Sequence, residues 1–154
     1  MIIRLYGPGD LDRVIQLFHA SVRRIAIRDY TEDQVKAWAP DEPDRERWAA
    51  RRASRPTWVA EVDGALAGFT DLEPDGHVDM MFVHPDHQGR GVAGALLRTV
   101  EAEAARLGLD RLFTEASITA RPFFERKGFS VITPQTVSVR GQDLVNYRMG
   151  KRLR

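Results

Sequence analysis

The 154-residue sequence contains no cysteine. That excludes a disulfide scaffold, a zinc–thiolate site and a cysteine nucleophile acting on an acyl group. It also lacks a surplus of either charge: 23 basic residues against 22 acidic ones leave +1. A nucleic-acid partner calls for a basic excess, so the composition argues against one. No apolar run approaches the ~18 residues of a membrane span. Met1–Asp10 has no apolar core of the secretion-signal type. The expectation is a cytoplasmic protein with neither nucleic acid nor membrane as a partner. Internal repeats, linkers and low-complexity tracts are missing too, so residues 1–154 read as a single domain. A chain of this length buries roughly 70% of its unfolded surface and needs no covalent staple.

The most informative segment runs from Met81 to Leu97. An apolar strand-like run ends at Val83, a short polar loop follows, and Gly89, Gly91 and Gly94 precede an amphipathic helix. Glycines let backbone N–H groups approach a ligand closely, and the first turn of a helix leaves its donors unpaired. With the positive end of the helix dipole, this makes a phosphate cradle.

Two families share such a cradle. Gly89-x-Gly91-x-x-Gly94 matches the dinucleotide-binding fingerprint, with Glu115 near the position of the ribose-binding acid. In that fold the strand runs almost directly into the first glycine, whereas here His84 to Gln88 intervene, and too little chain follows for the further βα units. Gln88-Gly89-Arg90-Gly91-Val92-Ala93 instead fits the Gln/Arg-x-x-Gly-x-Gly/Ala loop of the GNAT acetyltransferase superfamily. Ala120 to Phe129 resembles the same family's A-x-x-x-Y/F-E-x-x-G-F segment. The resemblance is strong over residues 57–150 and looser before them. Asp29 to Trp38 and Thr114 to Arg121 are similar to the YafP-like bacterial branch.

The rest of the chain supplies the elements around the cradle. Ile2 to Leu5 reads as a strand, and Asp10 as the cap of a helix with Leu11, Val14, Ile15, Phe18, Val22 and Ile25 at helical spacing. Thr31-x-x-Gln34 is a capping box opening a short helix that Pro40 and Pro43 break. Asp44 to Ser54 reads as a charged surface helix. Thr57 to Val62, Ala65 to Leu72 and His77 to Val83 form an antiparallel meander turned at Asp63-Gly64. Gly91 to Leu107 is a helix, Arg111 to Glu115 a strand parallel to the one before it. Thr119 is expected to cap a last helix, and two strands around Arg140-Gly141 finish the chain. This order, β-α-α-α-β-β-β-α-β-α-β-β, is the one the resemblance requires: an α/β single-domain GNAT fold with a mixed central sheet and helices on both faces.

The resemblance implies acetyl-CoA as cosubstrate and an N-acetyltransferase that passes the acetyl group to an amine of a small molecule or protein. The cofactor-binding residues it assigns are Gln88, Gly89, Arg90, Gly91, Val92, Ala93 and Gly94 in the loop. Met81, Phe82 and Val83 on the strand, with Ser117, Phe123 and Phe124 beyond it, complete the set. The thioester is expected between the ends of the two parallel strands, where a main-chain N–H polarises its carbonyl. Many members place a tyrosine hydroxyl beside the departing sulfur; here that position is Phe124, which has no proton to give. A missing general acid typically costs about 10²–10⁴ in rate. Ser117, Thr119 and Tyr147 are the candidate substitutes. Asp79, Glu73, Glu115 and His77 are candidates for the base, with Asp79 foremost because it interrupts an apolar strand. The plain alternative is that Asp79 pairs with an arginine.

Other groups have plain readings as well. His77, His84 and His87 do not complete a zinc set, so no metal is expected. Trp58 reads as core, whereas Tyr30 and Trp38 flank the helix expected to cover the acceptor and are the candidate substrate-binding residues. Arg51, Arg52 and Arg55 read as a solvated face. The family often forms homodimers, and nothing in the residues decides for one. The rival from another class is an acyl-CoA-binding sensor that keeps the cradle without turnover.

Overall fold

In the computed structural model, residues 1–153 are described. The element order is β1 (Ile2–Leu5), α1 (Leu11–Arg24), α2 (Glu32–Trp38), α3 (Arg45–Ser54), β2 (Thr57–Val62), β3 (Ala65–Asp71), β4 (His77–Val78), β5 (Met81–Val83), α4 (Val92–Arg106), β6 (Arg111–Ser117), α5 (Arg121–Arg126), β7 (Ser130–Val139) and β8 (Gln142–Arg152). The strands form two four-stranded sheets, β1-β2-β3-β5 and β4-β6-β8-β7. Among the described residues, only the β4–β6 pairing is parallel. No helix among the described residues is long and apolar enough to cross a membrane.

The expected strand from His77 to Val83 is broken at Asp79–Met80, and the break joins the two sheets. Its cause is the Asp71 carboxylate, which accepts from the backbone N–H of Asp79 at 2.8 Å and of Met80 at 3.1 Å. Donors turned toward a side chain cannot continue a ladder, so β4 pairs with β6 while β5 pairs with β3. Asp71 is itself held by Arg52 Nη2 at 3.0 Å, and both side chains are fully buried. Burial pushes the Asp71 carboxyl up, against the pull of Arg52 and the Met80 N–H. The arginines at the end of α3 and just beyond it are therefore no simple solvated face: Arg52 is buried, and Arg55 reaches Glu73 and Asp79 at 3.0 and 3.2 Å.

Alternation along β2 places helices on both faces of the first sheet. Trp58 and Ala60 pack with Val92, Leu96, Leu97 and Val100 of α4, while Val59 packs with Val14, Leu17, Phe18 and Val22 of α1. Gly68 lets α4 approach: a β-carbon there would lie 2.9 Å from Val92 Cγ1 and 3.0 Å from Leu96 Cδ1. Trp58 is core, as expected.

The capping box Thr31–Gln34 forms in both directions, at 2.8 and 3.1 Å. Two other caps differ from expectation. Asp10 makes no side-chain cap to α1. Its carboxylate instead accepts from the Gly7 N–H and binds Arg4 and Arg13, and Arg4 holds it well below the usual carboxylate range. Thr119 does not cap α5 either: its hydroxyl donates to Asp29 Oδ2 at 2.8 Å, and the Ser117 hydroxyl accepts from the Ala120 N–H at 3.0 Å.

Candidate active site

The break at Asp79–Met80 leaves a wedge between β5 and the end of β6. In the β3–β5 ladder, Asp71 donates to Met80 at 3.2 Å and His84 to Ala67 at 2.8 Å. Antiparallel pairs alternate, so the N–H groups of Met81 and Val83 point away from β3, into the wedge. On the opposite wall, Phe113 donates to Gly76 at 3.0 Å and Leu153 to Asp110 at 2.8 Å. The same alternation turns the main chain of Ser117 toward the wedge, beyond the end of β4.

The wedge opens into a cavity of about 580 Å³ that runs to the start of α4. Gly91 caps that helix with a φ of 78°, and Gly89 has a φ of 73°. Both lie in the left-handed region, and a β-carbon built on either meets nothing within 4 Å, so the loop's outer face is open. Ala95 is the first residue to donate back, to Gly91 at 3.1 Å. The N–H groups of Val92, Ala93 and Gly94 are thus the free donors of the helix end.

Most of the expected cofactor residues lie on this cavity's wall: Met81, Phe82, Val83, Gln88, Gly89, Gly91, Val92, Ala93, Gly94, Ser117, Phe123 and Phe124. Arg90, also expected, is exposed and off the wall. Ser117 is the one expected catalytic residue placed there. Its oxygen accepts from Ala120, which leaves its own proton free to face the cavity. Thr119 lines the cavity, but its proton is directed to Asp29. Tyr147 lies off the wall, with the Arg121 guanidinium 4.5 Å from its ring centre.

Asp79 is not on the wall either. It lies 3.2 Å from Arg55 Nη1, and Arg51 and Arg52 each approach it to 3.9 Å, so its place is in an ion-pair network rather than at the cleft. The other base candidates belong to the same network. His77 contacts Glu73 through Nδ1 and Glu115 through Nε2, each at 2.7 Å, and stacks on Phe113. The carboxylate of Glu115, with that of Glu73, overcomes burial and raises His77 to about 9. Glu73, His77 and Asp79 bring three ligand-type atoms within 4.8 Å of one another. The Arg55 guanidinium already stands on two of those carboxylates, at 3.0 and 3.2 Å, where a metal cation would have to bind.

The two expected acceptor residues separate. Tyr30 is buried, and its hydroxyl donates to the Val145 carbonyl at 2.5 Å and accepts from the Ile118 N–H at 3.0 Å. It ties the segment before α2 to the end of β6 and to β8. Trp38 does line the cavity, edge-on to Phe18, Tyr30 and Phe82.

Sequence reasoning missed the cavity's cations. Arg28, Arg98, Arg126 and Lys127 line it, with no carboxylate among the described lining residues. A β-carbon at Gly94 would lie 3.5 Å from Lys127 Nζ and 3.6 Å from Arg98 Nη1, so two of them converge on the helix end. Arg98 could have been found, because it stands four residues after Gly94 on the same face of α4. A nearly neutral chain thus concentrates positive charge beside its free N–H donors, which fits a polyanion carrying several phosphates.

A broken central strand, a wedge with free main-chain donors and a glycine-started helix make up the site. The family profile described as "Acetyltransferase (GNAT) domain" matches residues 26–151, and the chain belongs to that family of acetyltransferases. It is 37% identical over 147 residues to the protein named "Uncharacterized N-acetyltransferase YafP" of Escherichia coli strain K12, spanning 96% of this chain and 93% of that protein. Among solved structures, a GCN5-related N-acetyltransferase from Rhodopseudomonas palustris superposes with a TM-score of 0.94 at 36% identity, over 98% of this chain and 94% of that one. The PaiA N-acetyltransferase of Thermoplasma acidophilum, in complex with coenzyme A, shares the fold with a TM-score of 0.77 at 17% identity, over 99% of each chain.

Proposed function

We propose that the protein transfers an acetyl group from acetyl-CoA to an amine acceptor, by direct attack of the amine on the thioester. The observation that carries the reading is the wedge. It has unpaired N–H groups at Met81 and Val83 on one wall and Ser117 on the other, and it is continuous with a cationic cavity at the start of α4. Acetyl-CoA supplies a thioester whose carbon joins the acceptor nitrogen as the C–S bond breaks, with one proton passing from nitrogen to solvent or sulfur.

This chain's own residues do the rest. The N–H groups of Val92, Ala93 and Gly94, with Arg98 and Lys127 beside them, hold the pyrophosphate. The main-chain donors of Met81 and Val83 are directed at the place where negative charge grows on the carbonyl oxygen, in a site shielded from water by Phe82, Phe123 and Phe124. Ser117 offers the free hydroxyl proton that Phe124 lacks. Residues 1–154 act as one catalytic domain in this reading, in the cytoplasm.

Phe124 gives specific support to a second reading, an acyl-CoA sensor without turnover. One assay separates the two: free-thiol release from acetyl-CoA with a panel of amines, in which the cysteine-free chain adds no background. Acceptor-dependent release is the expected result. CoA binding without release across the panel would favour the sensor.

A further inference from the structure

Trp38 has a second cavity on its other side, of about 520 Å³. Its walls come from α1 (Phe18, His19), the end of α2, α3 (Arg47, Trp48, Arg51), Met80 at the strand break, and Arg140 in the β7–β8 turn. We propose that this cavity receives the acceptor and selects an amine that also carries an oxyanion, carboxylate or phosphate, on an apolar body. The inference rests on the acetyltransferase reading above.

The position follows from the break. Met80 lines this cavity and Met81 the first, so the two meet across one peptide of the split strand. An acceptor here faces the wedge from the side opposite α4. The body of the acceptor is read from the aromatics: Phe18 lies edge-on to Trp48 at 5.0 Å and to Trp38 at 6.3 Å between ring centres, an apolar wall for a flat or branched group.

The oxyanion is read from the arginines, which have more donors than partners. The Arg47 side chain makes no hydrogen bond or ion pair among the described residues, and Arg51 has only Asp79, at 3.9 Å. Arg140 donates through Nη1 to the Ala37 carbonyl at 2.8 Å, leaving its other donors open. The single lining carboxylate, Asp44, is engaged as the cap of α3, accepting from the Arg47 N–H at 3.1 Å. Guanidinium groups without carboxylates bind planar or phosphate oxyanions through paired donors. The same charges disfavour an ammonium. An acceptor anchored by its oxyanion therefore presents its nitrogen in surroundings that favour the free amine, in a protein whose Asp79 is tied to Arg55.

The test uses three compounds: para-aminomethylbenzoate, its carboxamide, and the corresponding phosphonate. Thiol release and quenching of tryptophan emission are both followed, with and without CoA. The carboxylate or the phosphonate is expected to exceed the carboxamide at least about tenfold in kcat/KM, mostly through KM, as one charge-assisted pair would give. The better of the two anions identifies the oxyanion that fits. Arg47→Gln and Arg51→Gln should each erode the preference several-fold while CoA affinity is unchanged. Preferential binding of an anion without thiol release would support the pocket and overturn the acetyltransferase reading instead. Equal affinity for the carboxamide, no saturable binding of either anion, or a preference that survives both variants would overturn this proposal.

Discussion

The two cavities that share Trp38 are built in opposite ways. The first takes most of its chemistry from one continuous stretch, Met81 to Gly94, where strand, loop and helix start follow each other directly. The second draws on α1, α2, α3, the strand break and a hairpin tip, so its residues run from Ile15 to Arg140. A ligand common to a whole family can be held by local main chain, which any sequence with the right glycines supplies. A ligand that varies must be read by side chains that only tertiary structure gathers. Both cavities depend on the same break between β4 and β5, held by the buried Arg52–Asp71 pair.

That shared dependence is the largest effect to test. Asp71→Ala removes the acceptor of two backbone donors and the closest carboxylate of the buried Arg52, which keeps only Thr57 Oγ1 at 3.4 Å and Asp79 at 3.9 Å; its Nε is already unpaired. Losing one member of a buried pair costs about 3–5 kcal/mol. Denaturant unfolding should show that loss, and both cavities should fail together. Retention of near-native stability would mean that the break is held by something else.

A smaller effect separates chemistry from binding. Ser117→Ala should lower kcat by about 10²-fold, the lower end for loss of a general acid. The affinity for CoA should change little. A variant with full turnover would move proton delivery elsewhere. The Ala120 N–H also loses its acceptor, so thermal unfolding of the variant should be followed alongside.

The glycine spacing and the Gln88 to Ala93 pattern made the first cavity legible, because a phosphate cradle is a local device. The capping box at Thr31–Gln34 and the turn at Asp63–Gly64 were legible for the same reason. Asp79 was read as a base because it interrupts an apolar strand. That interruption is real, but its origin is Asp71, eight residues earlier, turning the backbone toward itself. No periodicity reveals that a charged surface-type helix inserts Arg52 fully into the core. Thr119 and Asp10 were misassigned as caps because each was engaged elsewhere: the Thr119 hydroxyl by Asp29, far off in sequence, and the Asp10 carboxylate by Arg4, Arg13 and the Gly7 N–H. The second cavity was only hinted at, through Trp38.

The smallest effect concerns the charged network behind the break. The raised pKa of His77 means the folded state holds a proton that the unfolded chain releases near its ordinary value of 6.5. Its stabilisation is complete below that pH and lost as the pH rises through about 9. Unfolding free energy should therefore decline across this window, and His77→Gln should flatten the decline. Turnover at pH 7 should be little affected, since His77 lies off both cavity walls.

The most direct test of the account is a calorimetric titration of CoA into the native protein and into Gly91→Trp. Gly91 stands at a φ of 78° with open space before it, where an indole both strains the backbone and fills the cradle. The account predicts one site per chain in the native protein and a loss of about 100-fold or more in the variant, roughly 2.7 kcal/mol. Unchanged binding in Gly91→Trp, or no binding in the native protein, would contradict the placement of the ligand at the start of α4.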